Sequence, residues 1–336
     1  MQKLFIGVDV SKNDLDVAYY HNGQSFFIGK YPNNQTGFDN IAKDLESKKQ
    51  KTNSASIFVV MEPTGGYEQH IAHFVFQNKW EVSLPNPGQF RNWVKGTGKR
   101  AKTDKQDAMM LAKYGAVVNP PTWKPLPPEV AQLESMLNRL DDLKEILGSE
   151  NNRLEAYQNR VKSDDIVIGS VRQSISSLEH QIETLEKAIK DHFDKHTELK
   201  EQNIRLKTVP GVGEKISPHL LVSMHRFSQL TESKGTSRGV TAYFGLDPKP
   251  HESGISVYKR SSISRQGNRS IRHYLFMGAL GGVRGNNPLR VFYHRLLSRN
   301  KAKMVALVAS ARKIIVWCWA VFRNGKAFDP TRFETA

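Results

Sequence analysis

Five prolines lie within ten residues in the stretch NPPTWKPLPP, from Asn119 to Pro128. Proline lacks a backbone N–H and its ring fixes φ, so such a stretch forms neither the interior of a helix nor a central strand. A stiff linker is expected there, in a chain of 336 residues that is long enough for two or three domains. The sequence predicts four regions: an α/β domain over 1–118, the linker over 119–128, a coiled coil over 129–200 and a basic domain over 201–336.

Apolar runs alternate with helical patterns in the first region. Runs rich in branched and aromatic residues predict strands at Leu4–Val10, Leu15–Tyr20, Ser25–Lys30, Ser56–Met61 and Trp80–Leu84. Helices are predicted over Thr36–Ser47, Tyr67–Gln77 and Asp104–Ala116. Thr103 is expected to cap the last of these helices. Strands that come first and then alternate with helices indicate an α/β domain.

A heptad repeat follows the linker. Five apolar residues are spaced seven apart, at Leu133, Leu140, Leu147, Leu154 and Val161. A second apolar run, with alternating spacings of four and three, extends from Val171 to Ile189. Two such helices with a short break predict an antiparallel coiled-coil hairpin, or arms that dimerise. The alternative is a two-helix segment within the core of a bundle.

The excess positive charge of the chain lies entirely in its last region. Residues 201–336 hold 23 Lys and Arg against 7 Asp and Glu, which equals the whole formal net charge of +16. A concentrated positive field favours binding to a polyanion, because contacts with phosphates release condensed counterions. The sequence therefore predicts a nucleic-acid-binding surface in this mainly helical region.

A glycine-rich turn, TVPGVGE, separates two helical stretches near the start of the basic region. It resembles the turn of a helix-hairpin-helix motif, whose backbone N–H groups bind a DNA phosphate near a helix N-terminus. Gly211, Gly213 and Lys215 are therefore candidates for contacting nucleic acid. An ordinary glycine-rich turn between helices is the alternative.

Other features limit the class of protein. The single cysteine, Cys318, excludes an internal disulfide and makes a cysteine-based zinc site a poor interpretation. Met1–Val10 lacks the layout of a signal peptide. The most apolar stretch, Met304–Phe322, contains Arg312 and Lys313, which predicts a buried helix and not a membrane span. We expect a cytoplasmic, nucleoid-associated protein of a bacterium or archaeon, with no membrane partner.

Four carboxylates occupy unusual positions in the first region. Asp9 and Glu62 each close an apolar strand, where a carboxylate is costly unless it is paired or bound to a metal. Asp104 and Asp107 are three residues apart and share one face of a predicted helix. Taken singly, each has a structural explanation, such as capping or interaction with the helix dipole. Together they predict an oxygen-rich site for one or two Mg²⁺ ions, in an order that resembles the RNase H-like fold of RuvC-type nucleases.

These motifs together resemble one family nearly from end to end. The matching stretches are GVDVSKNDLDVA, VVMEPTGGYE, KTDKQDAMMLA, TVPGVGE, AYFGLDPKPHESG and SIRHYLFMGA. They resemble the insertion-sequence family "one-ten" of DEDD transposases, which are bridge-RNA-guided recombinases. The resemblance implies a RuvC-like N-terminal domain in which Asp9, Glu62, Asp104 and Asp107 bind Mg²⁺, followed by a C-terminal transposase domain with a nucleophilic serine.

The resemblance implies that Ser253, in the sequence HESG, is the nucleophile. Without the resemblance, a serine before Gly254 is a turn residue. A covalent phosphoserine conserves the energy of the broken phosphodiester, so rejoining the strands only reverses the attack. Basic residues around this serine are expected to hold phosphates, namely Lys259, Arg260, Arg265, Arg269 and Arg272.

The resemblance also implies the partners. These are double-stranded donor and target DNA and a structured noncoding guide RNA, called the bridge RNA, which pairs with both. A homodimer or homotetramer is expected, because moving an element requires four strand breaks.

Two other functions remain possible from the sequence. One is a RuvC-like, Mg²⁺-dependent, structure-specific DNA endonuclease that activates water, with Ser253 in a structural role. The other is a non-catalytic nucleic-acid-binding or scaffold protein.

Overall fold

The computed structural model describes residues 3–98, 103–160, 164–253 and 257–333, with the backbone alone for 250–253, 257–261, 332 and 333. The chain divides into two compact units, Met1–Pro125 and Leu126–Ala336. The division falls inside the proline-rich stretch, at which helical and strand hydrogen bonding is interrupted.

The first unit contains a five-stranded sheet. Its strands are β1 (Lys3–Val10), β2 (Asp14–His21), β3 (Gln24–Pro32), β4 (Ser56–Met61) and β5 (Glu81–Ser83). The strand order is β3-β2-β1-β4-β5. The pairs β1–β2 and β2–β3 are antiparallel, whereas β1–β4 and β4–β5 are parallel. Each strand lies where an apolar run predicts one, because a strand that is covered on both faces is apolar along most of its length.

Helices cover both faces of this sheet. They are α1 (Gln35–Lys51), α2 (Gln69–Gln77), α3 (Pro87–Gly96) and α4 (Asp104–Val118). One face packs with α1 and α2 around residues such as Leu4, Ile6 and Val59. The other face packs with α3 and α4 around Phe58 and Val60. The first unit is therefore a mixed α/β domain of three layers.

The segment after α4 does not leave the first unit at once. The backbone N–H of Trp123 donates to the carbonyl of Val82 at 2.6 Å, and the indole packs against the core of the sheet. The Ser83 hydroxyl donates to the carbonyl of Pro121 at 2.7 Å. The first half of the expected linker is thus an extended strap along β5, because prolines still accept hydrogen bonds and fit an edge.

The second unit begins with two long helices. They are α5 (Pro128–Gln158) and α6 (Asp165–Lys195), which pack together antiparallel. Lys144 lies 2.8 Å from Glu186, and His192 Nε2 lies 2.8 Å from the carbonyl of Glu129. The half of the hairpin nearest the linker, including Leu133 and Leu137, belongs to the core of the unit. The two helices thus form an antiparallel pair whose linker-proximal half is a core segment, as in the alternative, and a coiled coil stays a prediction.

The remaining elements are mainly helical. They are α7 (Thr197–Lys207), α8 (Ser217–Leu230), α9 (Ser237–Tyr243), β6 (Pro248–Ser253), β7 (Val257–Ile263), α10 (Arg269–Gly282), α11 (Pro288–Ser298), α12 (Lys303–Asn324) and a 3-10 turn (Pro330–Phe333). Side chains of α8, α10 and α12 form most of the second core, with Leu220, Leu275 and Ile314 fully buried.

Helix α12 is long and apolar enough to cross a bilayer when judged by length and composition alone. Its residues Ile314, Cys318 and Trp319 are buried in the core of the second unit. A core helix of this kind has the same length and apolar composition as a membrane span, so these two properties are only weak support for a membrane span.

Candidate active site

Asp9 and Glu62 lie side by side at the carboxyl ends of β1 and β4, two neighbouring inner strands of the sheet. The parallel register pairs Val8 of β1 with Met61 of β4, so the next residue of each strand is a carboxylate. Side chains alternate along a strand. Asp9 follows Phe5 and Gly7 on one face, and Glu62 follows Phe58 and Val60 on the same face. The two acids therefore close neighbouring strands toward α4.

Helix α4 lies across this face and brings its N-terminus to the same corner. A Cβ atom on Gly7 would lie 2.0 Å from the carbonyl oxygen of Ala108 and 2.3 Å from the nitrogen of Ala112. Only glycine permits so close an approach of helix and strand backbones. Asp107 directly precedes Ala108, so the first turn of α4 meets the strand at Asp9. Thr103 caps the helix by accepting from the N–H of Gln106.

The electrostatics of Asp9 reflect this convergence. Burial, which is the largest cause, and the negative charges of neighbouring carboxylates together raise the pKa of Asp9 from 3.8 to about 7. Those neighbours are Asp107, Asp104, Asp16 and Glu62. Three of them were predicted from the sequence to share a site with Asp9, and the structure brings them within electrostatic reach of it. A clustered negative charge of this kind is suited to a hard cation with oxygen ligands.

Glu62 has a counter-ion that the sequence did not indicate. The guanidinium of Arg91, on α3, donates to Glu62 Oε1 from Nη2 at 3.0 Å and from Nε at 3.2 Å. Helix α3 was not predicted, because Phe90 is its only buried residue and the apolar pattern is weak. Within the described part of the chain, no three acidic, histidine or cysteine side chains stand in a geometry that already holds a metal. The carboxylates are thus neighbours whose ligand oxygens do not converge on one point.

The loop after Glu62 is held by a buried acid. Glu68, only 4% exposed, accepts from the N–H groups of Thr64 at 2.9 Å and Gly66 at 3.1 Å. These backbone hydrogen bonds lower the pKa of Glu68 against the opposing effect of burial. Gly65 and Gly66 both have positive φ, which this tight turn requires. The turn therefore fixes the direction in which the chain leaves Glu62.

Asp16 is a further acid that the sequence analysis missed. It lies on β2 directly opposite Asp9 in the β1–β2 register and is only 8% exposed. Burial is the largest cause that raises its pKa above 3.8, and the charge of Lys30 opposes the shift. The signal was present in the sequence, since LDVA places a carboxylate inside an apolar strand.

Ser253 is the last residue of β6, the first strand of a two-stranded antiparallel hairpin in the second unit. The register pairs Ser253 with Val257 and His251 with Lys259. The side chains of Ser253, Lys259 and Arg260 lie outside the described residues, as do positions 254–256 entirely. The sequence did not predict this hairpin.

Three of the predicted phosphate-binding residues gather at the base of that hairpin. Burial lowers the pKa of Arg272, and the nearby charges of Arg265 and Arg269 lower it further. Arg272 also donates to the carbonyl of Gly267 at 2.8 Å. The structure thus places a dense positive charge beside the hairpin, with Arg272 partly engaged by the fold itself.

One part of the glycine-rich turn packs against the core of the second unit, and the other part is exposed. Gly211 has a φ of 87°, and a Cβ atom there would lie 2.6 Å from the carbonyl oxygen of Gly278 on α10. Gly211 is therefore a contact within the core of the second unit. A Cβ atom on Gly213 would meet nothing within 4 Å, and Lys215 is exposed. Phosphate contact by the turn stays a prediction, with Gly213 and Lys215 as its accessible members.

Comparison with known proteins assigns the family. A model of IS110-type DEDD transposases, described as a transposase, matches residues 6–161. A second model, described as the transposase IS116/IS110/IS902 family, matches residues 203–294. A pilin gene-inverting protein of Moraxella bovis is 34% identical over 332 residues, which is 98% of each chain. The chain belongs to the IS110 family of transposases.

Other relatives agree with this assignment. A pilin gene-inverting protein of Moraxella lacunata is 35% identical over the same length. The protein described as insertion element IS110 uncharacterized 43.6 kDa protein, of Streptomyces coelicolor, is 27% identical over 165 residues, which is 49% of this chain and 38% of that protein. This IS110-family transposase is therefore a DNA-rearranging enzyme. Transposases of the DEDD type usually use a divalent metal ion.

Proposed function

We propose that this transposase is an RNA-guided DNA recombinase that cleaves and rejoins donor and target DNA through a covalent phosphoserine at Ser253, with Mg²⁺ at the DEDD carboxylates. The observation that carries the proposal is the convergence of Asp9, Glu62 and the first turn of α4 at one corner of the sheet. The match of both family models to the corresponding parts of the chain supports it.

The first unit is proposed to have an RNase H-like, RuvC-like fold. Support comes from the order β3-β2-β1-β4-β5, with an antiparallel β1-β2-β3 meander and parallel β4 and β5. Carboxylates at the ends of β1 and β4 and on a helix over them suit metal-dependent phosphodiester chemistry. The order of the four acids along the chain is Asp, Glu, Asp, Asp.

The four carboxylates Asp9, Glu62, Asp104 and Asp107 are the groups that would hold Mg²⁺. When bound there, the ion would neutralise charge on a scissile phosphate and on the attacking and leaving oxygens. The chain supplies the remaining conditions. The N-terminus of α4 adds a partial positive charge, Arg91 balances Glu62, and the Glu68-bound turn fixes the backbone beyond Glu62.

The serine step conserves the phosphodiester energy. The Oγ of Ser253 forms a bond to phosphorus while the bond from phosphorus to one deoxyribose oxygen breaks. The serine proton passes to solvent or a nearby base, and the released hydroxyl takes up a proton. Rejoining reverses these changes with a hydroxyl of the other DNA, so no external energy source is needed. The arginines beside the hairpin, including Arg265 and Arg269, are proposed to bind the flanking phosphates.

A structured guide RNA and a homodimer or homotetramer are part of this proposal. Support for an RNA or DNA partner comes from the net charge of +16 in residues 201–336. The helical hairpin of α5 and α6 is the proposed contact between copies, because Ile146 and Ile166 are exposed away from the linker-proximal core.

A second outcome of the same chemistry is inversion of a DNA segment. The relatives that match over the full length carry the name pilin gene-inverting protein. Cleavage and rejoining at two sites in inverted orientation on one molecule gives inversion, whereas separate donor and target sites give insertion. A plasmid with inverted sites distinguishes the two products by restriction digestion.

The deciding experiment is a search for a covalent protein–DNA adduct. Purified protein is incubated with Mg²⁺, donor and target DNA and the noncoding RNA of its own element, then denatured and resolved on a gel. An adduct that requires the RNA is expected with the wild type and lost in Ser253→Ala. The matched control is Ser262→Ala, an exposed serine of the same hairpin, which should retain the adduct.

Other results of this experiment would support a different function or contradict part of the proposal. Nicked DNA without an adduct, unaffected by Ser253→Ala, would establish a hydrolytic RuvC-like endonuclease. An adduct that forms without RNA would support the serine as nucleophile and would contradict guidance by RNA. Unchanged activity in both Asp9→Ala and Glu62→Ala would contradict the metal site.

A further inference from the structure

Helix α11 exposes one basic face to solvent. The residues of this face recur at spacings of one and three, which places them on one side of an α-helix. They are Arg290, Val291, His294, Arg295 and Ser298. Val291 is 60% exposed and lies between the two arginines in helical projection. A face with two arginines and no acid is suited to an anionic partner.

The fold sets the direction of this face. Asn287 caps the helix by accepting from the N–H groups of Leu289 at 2.9 Å and Arg290 at 3.2 Å. Its side-chain amide donates to the carbonyl of Gly282, the last residue of α10, at 2.9 Å. Leu289 is fully buried, and a Cβ atom on Gly282 would lie 2.8 Å from Cδ2 of this leucine. The exposed face therefore belongs to an anchored helix and not to a loop.

The basic side chains in this part of the chain lack acidic partners. The sequence has no Asp or Glu between Glu252 and Asp329, whereas residues 269–324 hold eleven Lys and Arg. Among the residues that the structure describes, none of these eleven forms an ion pair within 4 Å. The chain itself therefore leaves the positive charge of α10, α11 and α12 without neutralisation.

An aromatic ring holds two of these cations in place. The Arg295 guanidinium of α11 and the Lys313 ammonium of α12 lie 5.6 and 5.5 Å from the centroid of the Phe292 ring. Such contacts orient a cation and leave its charge intact. Charges from two helices are thus fixed beside the exposed face of α11.

Duplex DNA fits this face better than an RNA helix or a second copy of the chain does. The major groove of B-DNA is about 12 Å wide and admits an α-helix, whose diameter with side chains is about 10–12 Å. The major groove of an RNA helix is too narrow and deep for side chains to read. A second copy would bring arginines close to arginines across a two-fold axis, and like charges disfavour that contact.

We propose that α11 enters the major groove of duplex DNA, with Arg290 and Arg295 on the phosphates at its two sides and Val291 toward the base edges. An apolar side chain in that position contacts the methyl group of thymine. The inference goes beyond the serine chemistry and the guide RNA, because it requires only that a transposase of this family acts on DNA. It adds a second DNA contact to the arginines beside the β6–β7 hairpin.

The first test measures the affinity of the full chain for a DNA duplex that carries the end of its own element. Fluorescence anisotropy is recorded at several NaCl concentrations. Arg290→Gln and Arg295→Gln should each make the slope of log K against log salt shallower by about 1, because each variant loses one phosphate contact. Arg172→Gln, at an exposed arginine of α6, is the matched control and should keep the wild-type slope.

An acid in the middle of the face should have a larger effect. Val291→Asp places a carboxylate toward the polyanion and is expected to weaken binding about tenfold or more. Val117→Asp is the matched control, because Val117 of α4 is 59% exposed. The thermal midpoint of each variant is measured beside its affinity. If Val291→Asp lowers the midpoint, the two arginine variants, which change exposed side chains, decide the result.

A second readout identifies the groove. Dimethyl sulfate methylates N7 of guanine, which faces the major groove, and N3 of adenine, which faces the minor groove. The wild type should protect guanine N7 within the bound duplex, and this protection should be lost in Val291→Asp at a protein concentration that still protects the duplex with Val117→Asp.

The results separate this inference from the proposed function. Wild-type affinity and salt slope in the variants of α11, or protection of adenine N3 alone, would overturn the major-groove contact. Variants that lose binding to the noncoding RNA and keep duplex binding would also overturn it, because the face would then bind RNA. A failure of the serine mechanism, with an adduct retained in Ser253→Ala, would leave the DNA contact of α11 unaffected.

Discussion

At Asp9, two physical effects act in the same direction. Burial disfavours the charged form, and four neighbouring carboxylates repel it, so the pKa rises from 3.8 to about 7. Between pH 3.8 and about 7, the folded chain without metal therefore keeps a proton on Asp9 that the unfolded chain has released. A bound cation would favour the ionised form and remove that difference. The residue is thus tuned to accept a positive charge.

This shift predicts a pH-dependent stability. Because the pKa is raised in the folded state, the contribution of Asp9 is fully present below pH 3.8 and is lost as the pH rises through about 7. Urea unfolding in EDTA at pH 5, 6 and 7.5 should show this decrease in the wild type. The decrease should be smaller in Asp9→Asn, whose side chain does not titrate. An identical pH profile for both proteins would contradict the assigned environment.

At the scale of elements, the site depends on the contact of α4 with β1. The contact is close because Gly7 has no side chain where the backbone of α4 crosses it. At Gly115, near the other end of the helix, an added Cβ atom would meet side chains of the sheet, with Val60 Cγ2 at 2.9 Å and Phe5 Cδ1 at 3.3 Å. Two glycines therefore set the height of α4 above the sheet, and with it the position of Asp104 and Asp107.

A substitution at Gly7 should therefore affect both stability and the site. Gly7→Ala places a methyl group 2.0 Å from the Ala108 oxygen, so strand and helix must separate, with a cost of about 1–3 kcal/mol typical of overpacking. We expect a lower midpoint of urea unfolding and weaker Mn²⁺ binding. Gly96→Ala is the control, because a Cβ atom there meets nothing within 4 Å. Unchanged stability in Gly7→Ala would show that the contact is not tight.

At the scale of the whole chain, the candidate metal ligands and the most basic segment lie in different units. The four candidate carboxylates lie in Met1–Pro125, whereas residues 201–336, with a net charge of +16, lie in Leu126–Ala336. A metal centre requires a negative local electrostatic potential, whereas a polyanion-binding surface requires a positive one. Placing them in separate compact units, each with its own core, satisfies both.

This division predicts which residues set the salt dependence of DNA binding. Replacing Arg265 or Arg269 with Gln removes one phosphate contact, so the slope of log K against log salt should become shallower by about 1. Fluorescence anisotropy with duplex DNA at several NaCl concentrations measures it. Lys43→Gln, an exposed lysine of α1, should leave the slope unchanged. Equal slopes in all variants would remove these arginines from the DNA-binding surface.

The sequence alone determined the elements with strong periodicity. Strand β4 begins and ends at the predicted residues, Ser56 and Met61, and α4 begins at the predicted Asp104 after the predicted cap Thr103. An apolar run and a capping residue are both local signals, so the sequence specifies them without knowledge of the packing. The motifs likewise carried the family assignment, because their order along the chain does not depend on folding.

Only the tertiary structure decided the contacts between distant segments. Helix α3 and its Arg91, the strap at Trp123 and the burial of Asp16 opposite Asp9 depend on strand order and register. Local pattern contains no information on these, because they arise from packing between residues far apart in the chain. The same reason explains Gly211, which the sequence presents as a phosphate-binding turn and the fold places against Gly278. Sequence specifies which residues carry the chemistry, and packing specifies which of them meet.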